Sequence, residues 1–216
     1  ANNVVEAVNS ALEIYSRAGA PLAAMSINAM IRNPPGWNVR NPRVVFDPVS
    51  GLFILMVLQY NANASACGSQ IVIMVSQSNP ALAWTSRGTA NLDSELGPGL
   101  ELANVALGLT ANVVVESSDY QTCVNGTTGA FVASQALVWQ RADLTTGILT
   151  SNRFSFFVPG PVGLQPAMAP GANTDAYEVA NHSTLTPPAS ARRPHFPIAG
   201  PPDTQDADTT GARGAG

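Results

Sequence analysis

Two histidines, His182 and His195, and two cysteines, Cys67 and Cys123, are the only residues of those types in the 216-residue chain. All ten cationic side chains are arginine and lysine is absent. Without lysine there is no phosphate-binding loop of the Walker type, no Schiff-base chemistry and no Ser-Lys catalysis, and no Gly-x-Ser-x-Gly elbow occurs. Both histidines fall at or beyond the point where apolar patterning fails, which disfavours a Ser-His-Asp triad and a His-ligated zinc. Neither cysteine has a Cys or His neighbour at metal-ligand spacing.

Glycosidic chemistry asks for less, since two carboxylates at the right separation suffice. Asp47, Glu116 and Asp119 are the candidates. Asp47 reads first as a turn residue ahead of Pro48, and Glu116 and Asp119 as polar groups at a strand end. Asp93, Glu95 and Glu101 share one connection, but a Ca²⁺ site needs about six to eight oxygen ligands and a denser Asp/Asn pattern. That connection, and the Asp203, Asp206 and Asp208 run, read as solvated acidity. No cofactor and no metal is expected. Trp37, Trp84, Trp139 and Tyr120 could stack on sugar rings, although aromatics this sparse more often wedge a core.

The elements that must carry these residues are strands. Arg43–Asp47 is a β-branched and aromatic run stopped by Pro48 and Gly51; Leu52–Tyr60 is continuously apolar; Gln70–Gln77 is a third run closed by Asn79-Pro80. β-Branched residues bounded by Pro and Gly favour strand, and Asp47 to Gly51 suits a hairpin turn. Unbroken apolar runs point to a sheet covered on both faces. A second copy of the plan follows: Asn104–Leu109, Asn112–Glu116, a polar loop Ser117–Gly129, then Ala130–Gln140. A shared plan at a period of roughly sixty residues is the mark of a repeat architecture, whose units bury their faces on each other.

Asn41-Pro42-Arg43-Val44-Val45-Phe46-Asp47-Pro48 with Gly51, then Val75-Ser76-Gln77-Ser78-Asn79-Pro80 and Trp84, resembles a family of secreted or surface-associated β-propeller repeat proteins of bacteria and algae, mostly without known function. The resemblance runs from about residue 3 to 180. Asn79 stands where the family usually has Asp, and 102–108 lacks its usual Asp and Pro. The resemblance implies an all-β, partial β-propeller-like fold with antiparallel blades. Full blades lie at about 41–90 and 104–158, inside a blade region 1–182 that precedes a disordered Pro/Ala/Gly-rich tail, 183–216. It also implies a hairpin of Val4–Val8 and Leu12–Ser16, where the apolar spacing alone reads as an amphipathic helix. Pro21–Ile31 reads as a connector with one helical turn, Arg87–Glu101 as a polar connection, Ala142–Gly147 as a helical turn, and Arg153–Val158 and Ala176–Ala180 as strands.

Composition bounds the rest. A 45% hydrophobic content is ample for a core, whereas 11% charged residues and a net charge of −4 argue against a nucleic-acid surface or a basic membrane patch. No apolar run reaches a membrane-spanning length, and Ala1 reads as a processed start. Cys67 and Cys123 fall in matched loops, so a disulfide forms if adjacent blades bring those loops to one rim; two free thiols are the alternative. Asn63, Asn125 and Asn181 begin N-x-Ser/Thr sequons, compatible with glycosylation.

Two functions stand at this level. One is a non-enzymatic module, secreted or on the cell surface, contacting protein or glycan through loops on one rim, Asn61–Ser69 and Ser117–Gly129, with self-association through open blade edges. The other is a fragment of a carbohydrate-active hydrolase or lyase with most of its site in further blades.

Overall fold

The structure is a computed structural model that describes residues 2–63, 67–81, 83–90, 99–146, 151–157, 162–168, 176–179 and 195–196. Its architecture is all-β and propeller-like. Three successive antiparallel sheets stack face to face. The first holds β1 (Asn3–Val8), β2 (Ala11–Ser16) and β3 (Pro21–Ser26), and is followed by a helical turn, α1 (Ile27–Met30). The second holds β4 (Trp37–Asp47), β5 (Leu52–Asn61), β6 (Ser69–Ser76) and β7 (Trp84–Ala90). In the third are β8 (Leu100–Leu109), β9 (Val113–Val124), β10 (Thr127–Gln140) and β11 (Ser151–Phe157), with the helical turn α2 (Arg141–Thr146) between the last two. Short strands β12 (Gln165–Pro166), β13 (Ala176–Val179) and β14 (His195–Phe196) form a further small sheet.

The unbroken apolar runs of β5 and β6 are explained by burial on two sides. Ile54, Met56 and Leu58 on β5, with Ile71, Ile73 and Val75 on β6, point into the core shared with the third sheet, where they meet Leu102, Leu107, Val114, Tyr120 and Trp139. Their alternating neighbours Leu55, Val57, Val72 and Met74 point the other way, against Leu12 and Ile14 of the first sheet and Ile27 of α1. A period of two with both faces apolar leaves no polar positions.

The first strands of the second and third sheets, β4 and β8, carry the same irregularity. Pairing shifts between Arg40 and Arg43 on β4 and between Ala103 and Ala106 on β8. At each shift an asparagine has a left-handed backbone: Asn41 at φ 51° and Asn104 at φ 51°. Asparagine tolerates that region better than most residues, so each bulge kinks its strand at low cost.

The first hairpin is β1–β2, not a helix, because Val5 and Ala7 alternate with exposed Val4, Glu6 and Val8 and reach the core with a period of two. Pro21–Ser26 is a third strand rather than a connector, and only Ile27–Met30 is helical. The polar connection Arg87–Glu101 is shorter than its sequence suggests, since Arg87–Ala90 belong to β7 and Leu100–Glu101 to β8.

The largest departure is Ser117–Gly129. It is no loop but the second half of β9, a two-residue turn and the start of β10. Its first polar side chains, Ser117, Ser118 and Asp119, are buried and hydrogen-bonded. Ser117 Oγ donates to Leu164 O at 2.6 Å. Ser118 Oγ accepts from Gln135 Nε2 at 2.8 Å. Asp119 accepts from Asn104 Nδ2 at 2.7 Å and from the Gly163 N–H at 3.1 Å. Polar residues sit in a covered strand when neighbours supply their hydrogen bonds, and those neighbours lie far away in sequence.

Candidate functional site

The carboxylates singled out for glycosidic chemistry are placed first. Asp47 closes the β4–β5 turn as expected, accepting from the Val49 N–H at 2.9 Å and from Ser50 Oγ at 2.7 Å. It also takes a buried partner that the sequence does not announce: Arg141 Nε donates to its Oδ2 at 2.9 Å, and Arg141 Nη2 closes on its Oδ1. Burial by itself raises the Asp47 pKa. The hydrogen bonds from Arg141, Ser50 and Val49 outweigh that and hold it below the usual carboxylate value. Arg141 Nη1 donates to Thr110 O at 3.0 Å and to Ala111 O at 2.7 Å. Glu116 and Asp119 are interior residues of β9, not strand-end groups. Gln135 Nε2 lies 3.4 Å from Glu116 Oε2, and Tyr120 OH donates to Gln135 Oε1 at 3.2 Å.

The opposite rim of the second and third sheets brings together the two cysteines. Cys67 and Cys123 form a disulfide, with Cα atoms 5.8 Å apart. Further contacts tie the strands at this rim, those of Ser69 and Arg40 with Glu101 and Leu102 crossing between the sheets. Ser69 Oγ accepts from the Leu102 N–H at 2.8 Å. Arg40 pairs with Glu101 and donates to Leu102 O at 3.1 Å, while its guanidinium carbon stands 4.6 Å from the Tyr60 ring centroid. Thr128 Oγ1 donates to the other Glu101 oxygen at 3.1 Å. Glu101 is thus a structural bridge between strands. Asp93 and Glu95 lie outside the described residues.

Around the disulfide two features project. The β5–β6 connection is anchored by Asn61 N–H to Gly68 O at 2.9 Å and Ala62 N–H to Gly36 O at 2.7 Å, leaving Asn63 exposed. The β9–β10 hairpin ends in Asn125-Gly126, with φ of 48° and 72°, the two positive angles that a type I′ turn requires. Residues 124–130 are all exposed, Val124 to 67%. Asn63 and Asn125, the two described sequon asparagines, therefore both stand on this rim. Asn181 lies outside the described residues, as do most of the tail residues 183–216, the Asp203–Asp208 run among them.

Among the aromatics, Trp139 and Tyr120 are buried in the core shared by the second and third sheets, and Trp84 packs against the core of the first and second. Trp37 is half-buried with Gly68 beside its ring. Among the described residues no group of three His, Cys, Asp or Glu is placed to hold a metal ion. No described helix is long and apolar enough to cross a membrane.

No family model matches the chain, and no curated protein sequence matches it. Among solved structures it is similar to the alpha-L-arabinanase of Penicillium chrysogenum, solved at high resolution in complex with arabinobiose, at 11% identity and a TM-score of 0.40. The match covers 82% of this chain and 52% of that one, so this chain spans about half the length of the enzyme.

Proposed function

We propose that the chain is a non-enzymatic, extracellular or cell-surface propeller-like module that contacts protein or glycan through the disulfide-tied rim. The observation that carries this reading is the Cys67–Cys123 bond, which fastens the β5–β6 connection of one blade to the base of the exposed β9–β10 hairpin of the next. A disulfide between blades belongs to an oxidising compartment, and a cross-linked rim holds projecting segments in one arrangement, which lowers the entropy cost of binding. The nominated carboxylates are engaged within the fold: Asp47 pairs with Arg141, Asp119 accepts from Asn104 and Gly163, and Glu116 accepts from Gln135, while Glu101 of the acidic connection pairs with Arg40. Asn63 and Asn125, and Asn181 beyond the described residues, are the proposed glycan acceptors.

The test replaces the hairpin tip, Val124–Gly129, by a minimal Asn-Gly turn and the β5–β6 connection by a short Gly-Ser turn that keeps Cys67. Binding to arrayed oligosaccharides and to proteins displayed by the source organism is measured alongside thermal unfolding. Loss of binding, with no more than the drop of about 1 kcal/mol in stability that losing the Thr128–Glu101 hydrogen bond brings, is the expected result. Hydrolysis of any arrayed oligosaccharide by the parent chain, abolished by Glu116→Gln or Asp47→Asn in a variant that still folds, overturns the non-enzymatic reading. Intact mass before and after reduction and deglycosylation tests the compartment.

A further inference from the structure

Five side-chain amides form one chain of hydrogen bonds at the disulfide rim, where α1 meets the second sheet. Gln70 donates to Gln59, Gln59 Nε2 to Asn33 Oδ1 at 2.6 Å, Asn33 Nδ2 to Asn28, and Asn28 Nδ2 to Asn38 Oδ1 at 2.8 Å. Every bond runs in the same sense, from amide nitrogen to the next amide oxygen. A run of this kind fixes which way each amide points, and each bond polarises the next. Asn38 Oδ1 also takes the Val39 N–H at 2.8 Å. At the two ends of the chain, Asn38 Nδ2 and Gln70 Oε1 have no partner among the described residues. Both residues are half-buried.

The turn after α1 builds this arrangement. The Asn33 N–H donates to Asn28 O at 3.2 Å and the Arg32 N–H to Ala29 O at 3.3 Å. These are the two bonds of a Schellman stop, with Arg32 in its left-handed position at φ 52°. The stop carries Asn33 back over Asn28 and starts the segment that leads to Trp37, whose N–H donates to Pro34 O at 3.0 Å and whose carbonyl accepts from Asn33 Nδ2 at 3.3 Å. Trp139 and Trp84 pack in the two large cores, and Trp37 belongs to neither. It is half-buried, with Gly68 against the outer end of its ring. Trp37 lies between the two ends of the amide chain: Asn38 follows it in sequence, and Gln70 is two residues past the glycine that touches it.

We propose that Trp37 and the amide chain form a binding site for a neutral saccharide. The indole ring takes the apolar C–H face of a sugar, whose hydroxyls stand at its edge. A hydroxyl both donates and accepts, so Asn38 Nδ2 donates to one and Gln70 Oε1 accepts from another. None of the six side chains carries a charge, which matches an uncharged ligand. Amides already held by one another lose little further freedom on binding. This rests on the proposed rim function and names the class of its ligand.

Titration calorimetry against neutral oligosaccharides of hexoses and pentoses, and against uronate-containing ones, reads the ligand class. The chain is first freed of N-glycans, so that a sugar on Asn63 does not fill the site. The parent is expected to bind a neutral oligosaccharide. Trp37→Ala should weaken that binding at least about tenfold, with Trp37→Phe, which keeps a ring, in between. Asn38→Asp removes the free donor and retains the oxygen that holds Asn28 and Val39, so it should keep the parent's thermal unfolding and still weaken binding about tenfold. A chain that binds a displayed protein through the hairpin tip and no saccharide overturns this inference and leaves the rim reading standing. Saccharide binding that survives replacement of the hairpin tip and is lost in Trp37→Ala and Asn38→Asp does the reverse. Binding indifferent to Trp37→Ala and Asn38→Asp, or a preference for uronates that Arg32→Gly removes, would overturn the proposal.

Discussion

Arg141 and Asp47 sit on adjacent blades, 94 positions apart in sequence, and form a two-point buried ion pair whose side chains are 6% and 2% exposed. The pair joins the β4–β5 turn to the β8–β9 turn, since Arg141 also holds Thr110 O and Ala111 O and its own N–H donates to Asn112 O at 2.8 Å. At the opposite rim the Arg40–Glu101 pair and the disulfide do the same work. Both edges of one interface are therefore pinned.

Removing one partner leaves the other charge buried and uncompensated. Asp47→Asn is expected to destabilise the chain by about 3–5 kcal/mol, read as a drop in denaturant midpoint at unchanged slope. The pH dependence follows from the sign of the shift. The Asp47 pKa is lowered in the folded state, so its contribution is present above the ordinary carboxylate range and is lost as pH falls below roughly pH 5. The parent should lose stability more steeply on acidification than Asp47→Asn, and parallel acid limbs would contradict the assignment.

The disulfide closes a loop with a sequence separation of 56. Chain-entropy reasoning gives it about 4 kcal/mol. The double variant Cys67→Ser, Cys123→Ser should lose up to that amount, and the reduced parent should unfold at the midpoint of the variant.

The other rim pair is worth less. Arg40 is 34% exposed at its side chain, so solvent screens its charge, and Arg40→Ala is expected to cost about 1 kcal/mol, part of it lost packing on Tyr60. An effect as large as that of Asp47→Asn would show that the two rims had been ranked wrongly.

Asn41 and Asn104 share φ 51° but not their contacts, because only Asn104 is seen to donate to Asp119. Glycine relaxes a left-handed position, so Asn41→Gly should be close to neutral. Asn104→Gly strips a hydrogen bond from a buried carboxylate and should cost about 1–3 kcal/mol. Equal effects in thermal unfolding would refute this distinction.

Gly108 lies against the segment that follows the third sheet. A Cβ there would stand 2.4 Å from Pro166 Cβ and 3.0 Å from Ala167 O. Gly108→Ala is expected to displace residues 162–168 from β8 at a cost of about 1–3 kcal/mol, seen as faster hydrogen exchange at Gly163, whose N–H is bonded to Asp119.

Local chemistry by itself determined much of this protein. The runs Leu52–Tyr60 and Gln70–Gln77 declare doubly covered strands because Leu52–Leu58 and Ile71–Val75 are apolar at every position, and Pro, Gly and polar residues mark where they stop. The Asp47-to-Gly51 turn and the absence of lysine chemistry are equally legible, because each depends on neighbours or on composition. Tertiary structure decided the rest, and in each case the deciding partner is remote. Ser117–Gly129 looks like a loop because its polarity is visible while the groups that satisfy it, Leu164 O, Asn104 and Gly163, are not adjacent. The β1–β2 pair looks helical because one apolar spacing serves two periods until a sheet covers one of them. Asp47 meeting Arg141, and Cys67 meeting Cys123, required two blades to stack in register, a geometry set by interdigitating side chains across a buried interface and not by any residue's own neighbours.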